Sequence, residues 1–203
     1  MTQDHLAEIY DDFADNYVAN RDTFDLTKIL DRFTSELPNE GDLCDLGCGA
    51  GVPVSKHFAD RGWQVTGVDF SPKMLQLART QVPTMIPIQA DIRDVAFRAQ
   101  SFDAVTAVYS LFHTPWTDHE KIFTNIRTWL RPAGSFLFTY ATKEYTGQDE
   151  FNGLKDFMGR TLFYSHTTPP KLKDQLTRAG FKIQHMTPET IAGETFLWIT
   201  ATT

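Results

Sequence analysis

Between positions 43 and 140 the chain alternates short apolar runs with amphipathic stretches, and this alternation restricts the fold more than any other feature. The apolar runs are Leu43–Leu46, Gln64–Val68, Met85–Gln89, Ala104–Tyr109 and Phe136–Tyr140. Helical spacing occupies 52–60, 72–82 and 117–130 between them. Ser71-Pro72 offers one helix an N-cap and a proline in its first turn, and Arg131-Pro132-Ala133-Gly134 closes another. Strands separated by helices of this length pair in parallel and leave helices on both faces of one sheet. The carboxyl-terminal part reads differently. A helix near 168–179 opens at Thr168-Pro169-Pro170 and ends at Gly180. Two strand-like runs follow, Phe181–Met186 and Thr195–Thr200, joined by a connection too short for a crossover helix, so they are expected to be antiparallel. The sum is a single α/β domain, a three-layer sandwich on a mostly parallel seven-stranded sheet with an antiparallel carboxyl-terminal strand.

Ahead of the sheet lie two helical patterns. Leu6, Ile9, Tyr10, Phe13 and Tyr17 mark one face over 4–19, and Asp11, Asp12 and Asp15 are expected on its solvated side. Leu26, Ile29, Leu30, Phe33 and Leu37 mark the second, which stops at Pro38.

Charge narrows the partners. Nineteen Lys and Arg against twenty-six Asp and Glu give a net −7, a surface that repels phosphate backbones and anionic lipid. Nucleic acid and membrane are therefore not expected partners. The start, MTQDHLAEIYDDFADNY, has no apolar signal core, and the expected location is cytoplasmic. Cys44 and Cys48 sit four residues apart on an extended run, too far for a disulfide, and no second pair completes a zinc site. No metal is expected.

The chemistry concentrates at strand ends. Gly47, Gly49 and Gly51 form a glycine-rich turn between the first strand and the next helix, where a ligand can lie against backbone. Asp69 ends the second strand, placed to accept both hydroxyls of a ribose. Asp91 follows the third, placed to accept from an exocyclic adenine amino group. Together they describe an adenosine site. Val52 stands where the third glycine of a dinucleotide fingerprint would be, and Asp45 precedes the turn. A carboxylate there disfavours a pyrophosphate and favours a cationic amino acid tail.

Leu43–Gly51 resembles the first motif of the Rossmann-like (class I) S-adenosylmethionine-dependent methyltransferases, which reads roughly [DE]-x-G-x-G-x-G. Val68–Leu75 is similar to that family's second motif, Ala90-Asp91-Ile92 to its third, and Phe102–Val105 to the start of its fourth strand. Leu130–Gly134 matches the turn before the fifth strand, with Ala133 where the family more often has glycine. The resemblance covers about 8–200. It implies S-adenosyl-L-methionine as cofactor, with S-adenosyl-L-homocysteine as product. It also implies roles. Gly47, Cys48, Gly49 and Gly51 would line the methionine moiety, Asp45 its amino group, Asp69 the ribose, Phe70 the adenine face, and Asp91 with Ile92 the adenine edge. Tyr109 would sit at the methionine end. Tyr10, Ala14 and Tyr17 resemble the Y-x-x-x-A-x-x-Y pattern of a lid helix. The organisation implied is 1–38 as lid helices, 41–141 as cofactor half, and 142–203 as acceptor-side segment and terminal hairpin.

His113, in the loop leaving the fourth strand, is the candidate general base, against a structural reading in which it only shapes that loop. The D/N/S-P-P-aromatic motif of amino-group methylases is absent, neither Cys follows Pro, and His119-Glu120 lacks the second His of a zinc helix. A small-molecule acceptor with an oxygen or nitrogen nucleophile is expected, recognised by the amino-terminal helices and by 141–168, in a monomer or homodimer. Two alternatives stay open: a catalytically idle subunit that binds the cofactor, and a nicotinamide-dependent oxidoreductase.

Overall fold

The computed structural model describes residues 8–12, 14, 25–157 and 159–203. Residues 8–12 and 14 are helical and are called α1. The alternating part follows: α2 (Thr27–Ser35), β1 (Asp42–Leu46), α3 (Val54–Ala59), β2 (Gln64–Asp69), α4 (Pro72–Gln81), β3 (Ile86–Gln89), β4 (Phe102–Ala107), α5 (His119–Trp129) and β5 (Leu130–Tyr140). The rest comprises α6 (Lys143–Thr146), β6 (Phe151–Phe157), β7 (Arg160–His166), α7 (Pro169–Arg178), β8 (Lys182–Ile191) and β9 (Glu194–Thr202).

Seven strands form one sheet in the order β3-β2-β1-β4-β5-β9-β8. β1 pairs in parallel with β2 and β4, while β9 runs antiparallel to both β5 and β8. The expected parallel sheet with one reversed terminal strand is therefore present, and β9 is inserted between β5 and β8. Strand order turns around at β1 and β4, and the loops leaving their carboxyl ends diverge to open a crevice.

The pleat sorts the core into two layers. Leu43 of β1 and Phe196 and Trp198 of β9 face one buried cluster, completed by Leu30 and Phe33 of α2 and Phe58 of α3. Cys44 and Leu46 of β1 and Leu197 and Ile199 of β9 face the other, with Ile122 and Phe123 of α5 and Leu172 and Leu176 of α7. Each fully buried side chain of this size contributes about 1.5–3 kcal/mol relative to exposure. Ser71 caps α4 as its sequence position indicates, its hydroxyl accepting from Met74 N–H at 3.0 Å. Among the described residues no helix is long and apolar enough to cross a membrane.

Two expectations need correction, and one segment left without assigned elements has structure of its own. The fourth strand ends at Ala107, because Tyr109 takes a left-handed φ of 56° that leaves the pleat. Arg131–Gly134 does not merely stop a helix. β5 already begins at Leu130, paired with Phe102, and its register shifts before Ser135. Ala133 takes the strained φ of 63° at that irregularity, and a Cβ on Gly134 would meet the Arg131 carbonyl at 2.8 Å. Finally, 141–168 holds a separate antiparallel hairpin, β6 and β7, turning through Gly159.

Candidate functional site

The crevice beyond β1, β2 and β4 contains a cavity of about 220 Å³. Its floor is the glycine turn. Gly47 N–H donates to the Val68 carbonyl at 2.7 Å, and at its φ of 73° an added Cβ would meet Ser110 Cβ at 2.2 Å. Only glycine lets the loops after β1 and β4 come this close. Gly49, at φ 53°, is different, since a Cβ there would meet nothing within 4 Å. Gly47, Cys48 and Gly49 line the cavity. Gly51 does not: it packs on the end of α4, where a Cβ would strike Val82 at 2.9 Å.

Two buried carboxylates face this space. Asp45 shares its strand face with Leu43, and accepts from Ser55 of α3 at 2.6 Å and Thr106 of β4 at 2.8 Å. Burial pushes its carboxyl above the ordinary range, against those two hydroxyl donors. Asp69 accepts from Gly49 N–H at 2.8 Å and Ser71 N–H at 2.9 Å. Desolvation raises it to about 6. Among the described residues, hydroxyls and amides but no cation reach these two acids, the donor set that a cationic amino group and a ribose diol would complete. Burial holds the Cys44 and Cys48 thiols well above their usual range, and neither is in a disulfide.

Phe70 and Ile92 line the far side of the cavity. Asp91 does not. Its two oxygens are taken by the Arg93 amide at 2.7 Å and the Arg93 guanidinium at 2.8 Å, two residues along the chain.

α1 lies across the opening. Ala14 is fully buried against Ala50 and Met74, and Tyr10 meets Phe70 edge-on at 5.8 Å. Asp11 is not on a solvated face: it accepts from the Ser71 hydroxyl and from Lys73 N–H, pinning α1 to the start of α4. Tyr17 lies outside the described residues.

Tyr109 and His113 form the wall nearest α1. The Tyr109 amide donates to Thr139 Oγ1 at 2.6 Å, which holds its left-handed backbone. His113 Nδ1 is 2.8 Å from the Phe163 carbonyl, and its Nε2 is 2.8 Å from the Tyr10 hydroxyl. A carbonyl only accepts, so Nδ1 carries the proton and Nε2 accepts from Tyr10. Desolvation lowers His113 to about 4, so the ring is neutral at pH 7. Its loop is clamped by His119, whose Nε2 lies 3.2 Å from the Leu111 carbonyl and 3.1 Å from that of Thr114, at either end of the turn.

Behind Tyr10, Tyr109 and His113 lies a second, smaller chamber. α6 contributes Tyr145, the β6–β7 hairpin Phe157 and Tyr164, and β9 Glu194 and Phe196. Ser55, Thr106, Thr139 and the Phe163 carbonyl were not legible as site groups in the sequence. Thr106 offered a signal, a hydroxyl inside an otherwise apolar strand.

Residues 44–138 match a family of methyltransferase domains. YqeM of Bacillus subtilis (strain 168) is 34% identical over 109 residues, 51% of this chain and 44% of that protein. Trans-aconitate 2-methyltransferase of Escherichia coli O6:K15:H31 is 36% identical over 95 residues, 45% of this chain and 36% of that protein. The matches thus span less than half of these curated relatives' own length. Among solved structures, Burkholderia thailandensis 1,6-didemethyltoxoflavin-N1-methyltransferase, with 1,6-didemethyltoxoflavin and S-adenosylhomocysteine bound, aligns with a TM-score of 0.72 at 21% identity. That alignment covers 100% of this chain and 90% of that one, a likeness of fold. Matched domain, strand order and glycine turn agree: residues 44–138 match the methyltransferase-domain family, and the chain has the Rossmann-like fold of S-adenosylmethionine-dependent methyltransferases.

Proposed function

We propose that this protein transfers a methyl group from S-adenosylmethionine to a small-molecule acceptor, at oxygen or nitrogen, by in-line displacement. The observation that carries this reading is the junction of two spaces. An acid-lined cavity and an aromatic chamber meet at Tyr10, Tyr109 and His113. Bound in the first, S-adenosylmethionine supplies a methyl group already activated on a sulfonium, with a neutral thioether as leaving group.

The protein's own groups then have little covalent chemistry to do. Gly47 and Gly49 would leave backbone bare for the methionine moiety, Asp45 would accept from its amino group, and Asp69 would take the ribose hydroxyls. Phe70 would cover the adenine and Ile92 would meet its edge, with Asp91 engaged by Arg93. Tyr10 and Tyr109 would offer aromatic rings to the sulfonium, since ring faces attract a cation once water is excluded. Alignment of the acceptor is the main contribution, worth up to about 7–11 kcal/mol in favourable cases. His113 Nε2 is the group that can accept the acceptor's proton.

Incubation with methyl-labelled S-adenosylmethionine and a fractionated cell extract tests the reading. Label is expected in the small-molecule fraction. Label confined to protein or RNA, or none above a control lacking the enzyme, would overturn it.

A further inference from the structure

Among the described residues, Tyr10, Tyr109 and His113 line both the cofactor cavity and the aromatic chamber, and Tyr109 alone of them has a left-handed backbone. At its φ of 56° a Cβ crowds the chain, so the conformation persists only where the surroundings hold it. They hold ring and backbone separately. The ring lies edge-on to Phe196 at 5.2 Å and to Trp198 at 5.7 Å, both of β9. The backbone is held from β5. β4 makes its last pair with that strand between Ala107 and Phe138, so the Tyr109 amide lies two residues beyond the ladder. Its acceptor is a side chain, the Thr139 hydroxyl oxygen at 2.6 Å. Thr139 is fully buried and stands opposite Trp198 in the antiparallel pairing, so hydroxyl and indole share one face of the sheet. One strand pair therefore seats both halves of Tyr109. A buried amide deprived of that oxygen is left unpaired, which favours any rearrangement that returns it to a partner or to water.

We propose that Thr139 is a positioning residue for the methyl-bearing end of the cofactor: by accepting from the Tyr109 amide it keeps the Tyr109 ring on the cavity wall, and so sets the ratio of affinities for the sulfonium S-adenosylmethionine and its neutral thioether product. This rests on the proposed placement of Tyr109 beside the sulfonium and adds the group that holds it there. Thr139 does not itself line the cavity, so it acts through Tyr109. The two ligands differ by one methyl group and one positive charge, both at sulfur. An aromatic ring nearby stabilises the cation more than the thioether. A change that merely loosens the fold weakens the two ligands alike, whereas a change in where the ring stands alters their ratio.

The test is calorimetric titration of S-adenosylmethionine and S-adenosylhomocysteine into wild type, Thr139→Ser and Thr139→Val. Serine keeps the acceptor oxygen and loses a methyl group; valine keeps the shape and loses the oxygen. Thr139→Ser is expected to hold the affinity ratio within about two-fold of wild type. Thr139→Val is expected to weaken S-adenosylmethionine about three- to ten-fold more than S-adenosylhomocysteine, the worth of one cation–ring contact. Tyr109→Leu is expected to shift the ratio the same way, and Thr139→Val added to it to shift the ratio no further, because the ring it positions is gone. By nitrogen-15 NMR the Tyr109 amide of wild type and Thr139→Ser is expected downfield and slow to exchange with solvent. Equal weakening of both ligands by Thr139→Val, no change in either, or the same ratio shift with and without the Tyr109 ring would overturn the proposal. So would a wild-type Tyr109 amide that exchanges as an open loop does, a result that needs no variant to fold. An unchanged ratio in Tyr109→Leu would contradict the placement of Tyr109 beside sulfur, and failure of both ligands to bind wild type would contradict the cofactor reading instead.

Discussion

On the proposed function, Asp69 would set both affinity and its pH dependence. Its carboxyl, raised to about 6 chiefly by burial, is protonated in the free protein under mildly acidic conditions. Accepting both ribose hydroxyls needs the ionised form, so below about pH 6 binding must first expel a proton, and affinity is expected to fall about ten-fold per pH unit there. The sign is opposite for the free fold. A folded value above the unfolded one means that the stability from this carboxyl is present at low pH and is lost as pH rises from about 4 to about 6. Calorimetry with S-adenosylhomocysteine between pH 5 and 8 checks the first statement: a flat profile in the wild type would contradict it, and Asp69→Asn should bind weakly with no pH dependence. At this scale the sequence was informative about position where a strand end decides it, as for Asp45 and Asp69, which both line the cavity. It was silent where a neighbour decides. Asp91 was placed correctly at the end of the third strand, but nothing in Asp91-Ile92-Arg93 says that the arginine folds back onto the acid rather than into solvent.

At the scale of elements, the glycine turn separates two kinds of requirement. Gly47→Ala must drive a Cβ into Ser110 at a left-handed φ, and is expected to cost several kcal/mol of stability, about what overpacking plus backbone strain costs elsewhere. Gly49→Ala meets only open space, so it should cost the fold about 1 kcal/mol for its φ while losing most cofactor affinity. Urea unfolding and cofactor titration on the two variants check this; equal losses of stability would contradict it. In the β6–β7 hairpin, Leu162 is fully buried, and Leu162→Ala is expected to cost about 2–5 kcal/mol and to loosen His113 through the neighbouring Phe163 carbonyl. A Leu162→Ala variant as stable as wild type would show that the hairpin is not packed as described. This hairpin escaped the sequence for a physical reason. Asn152-Gly153, an ordinary turn signal, lies just inside the start of β6, and the strand is half-exposed along its length, with Leu154 facing solvent. β1, β4 and β5 were legible because both of their faces are largely buried, which writes continuous apolar runs into the chain. The early start of β5 was hidden behind Pro132, which reads as a helix stop although the strand has already begun.

Across the whole molecule, cofactor binding and folding are linked. The amino-terminal helix α1, the glycine turn and α4 meet through Ala14, Ala50 and Met74, and Asp11 ties α1 to Ser71. A ligand held among them stabilises the folded state by mass action, about 2.7 kcal/mol at a hundred times its dissociation constant. For a chain of this size that is a rise in Tm of about 5–11 °C. S-Adenosylhomocysteine is expected to produce it in a thermal scan. The most direct measurement remains calorimetric titration of S-adenosylmethionine, S-adenosylhomocysteine and NAD into the wild type and Asp69→Ala. Micromolar binding of the first two, lost in Asp69→Ala and absent for NAD, is the expected result. Binding of NAD alone, or of none of the three, would contradict the assignment of the acid-lined cavity to S-adenosylmethionine.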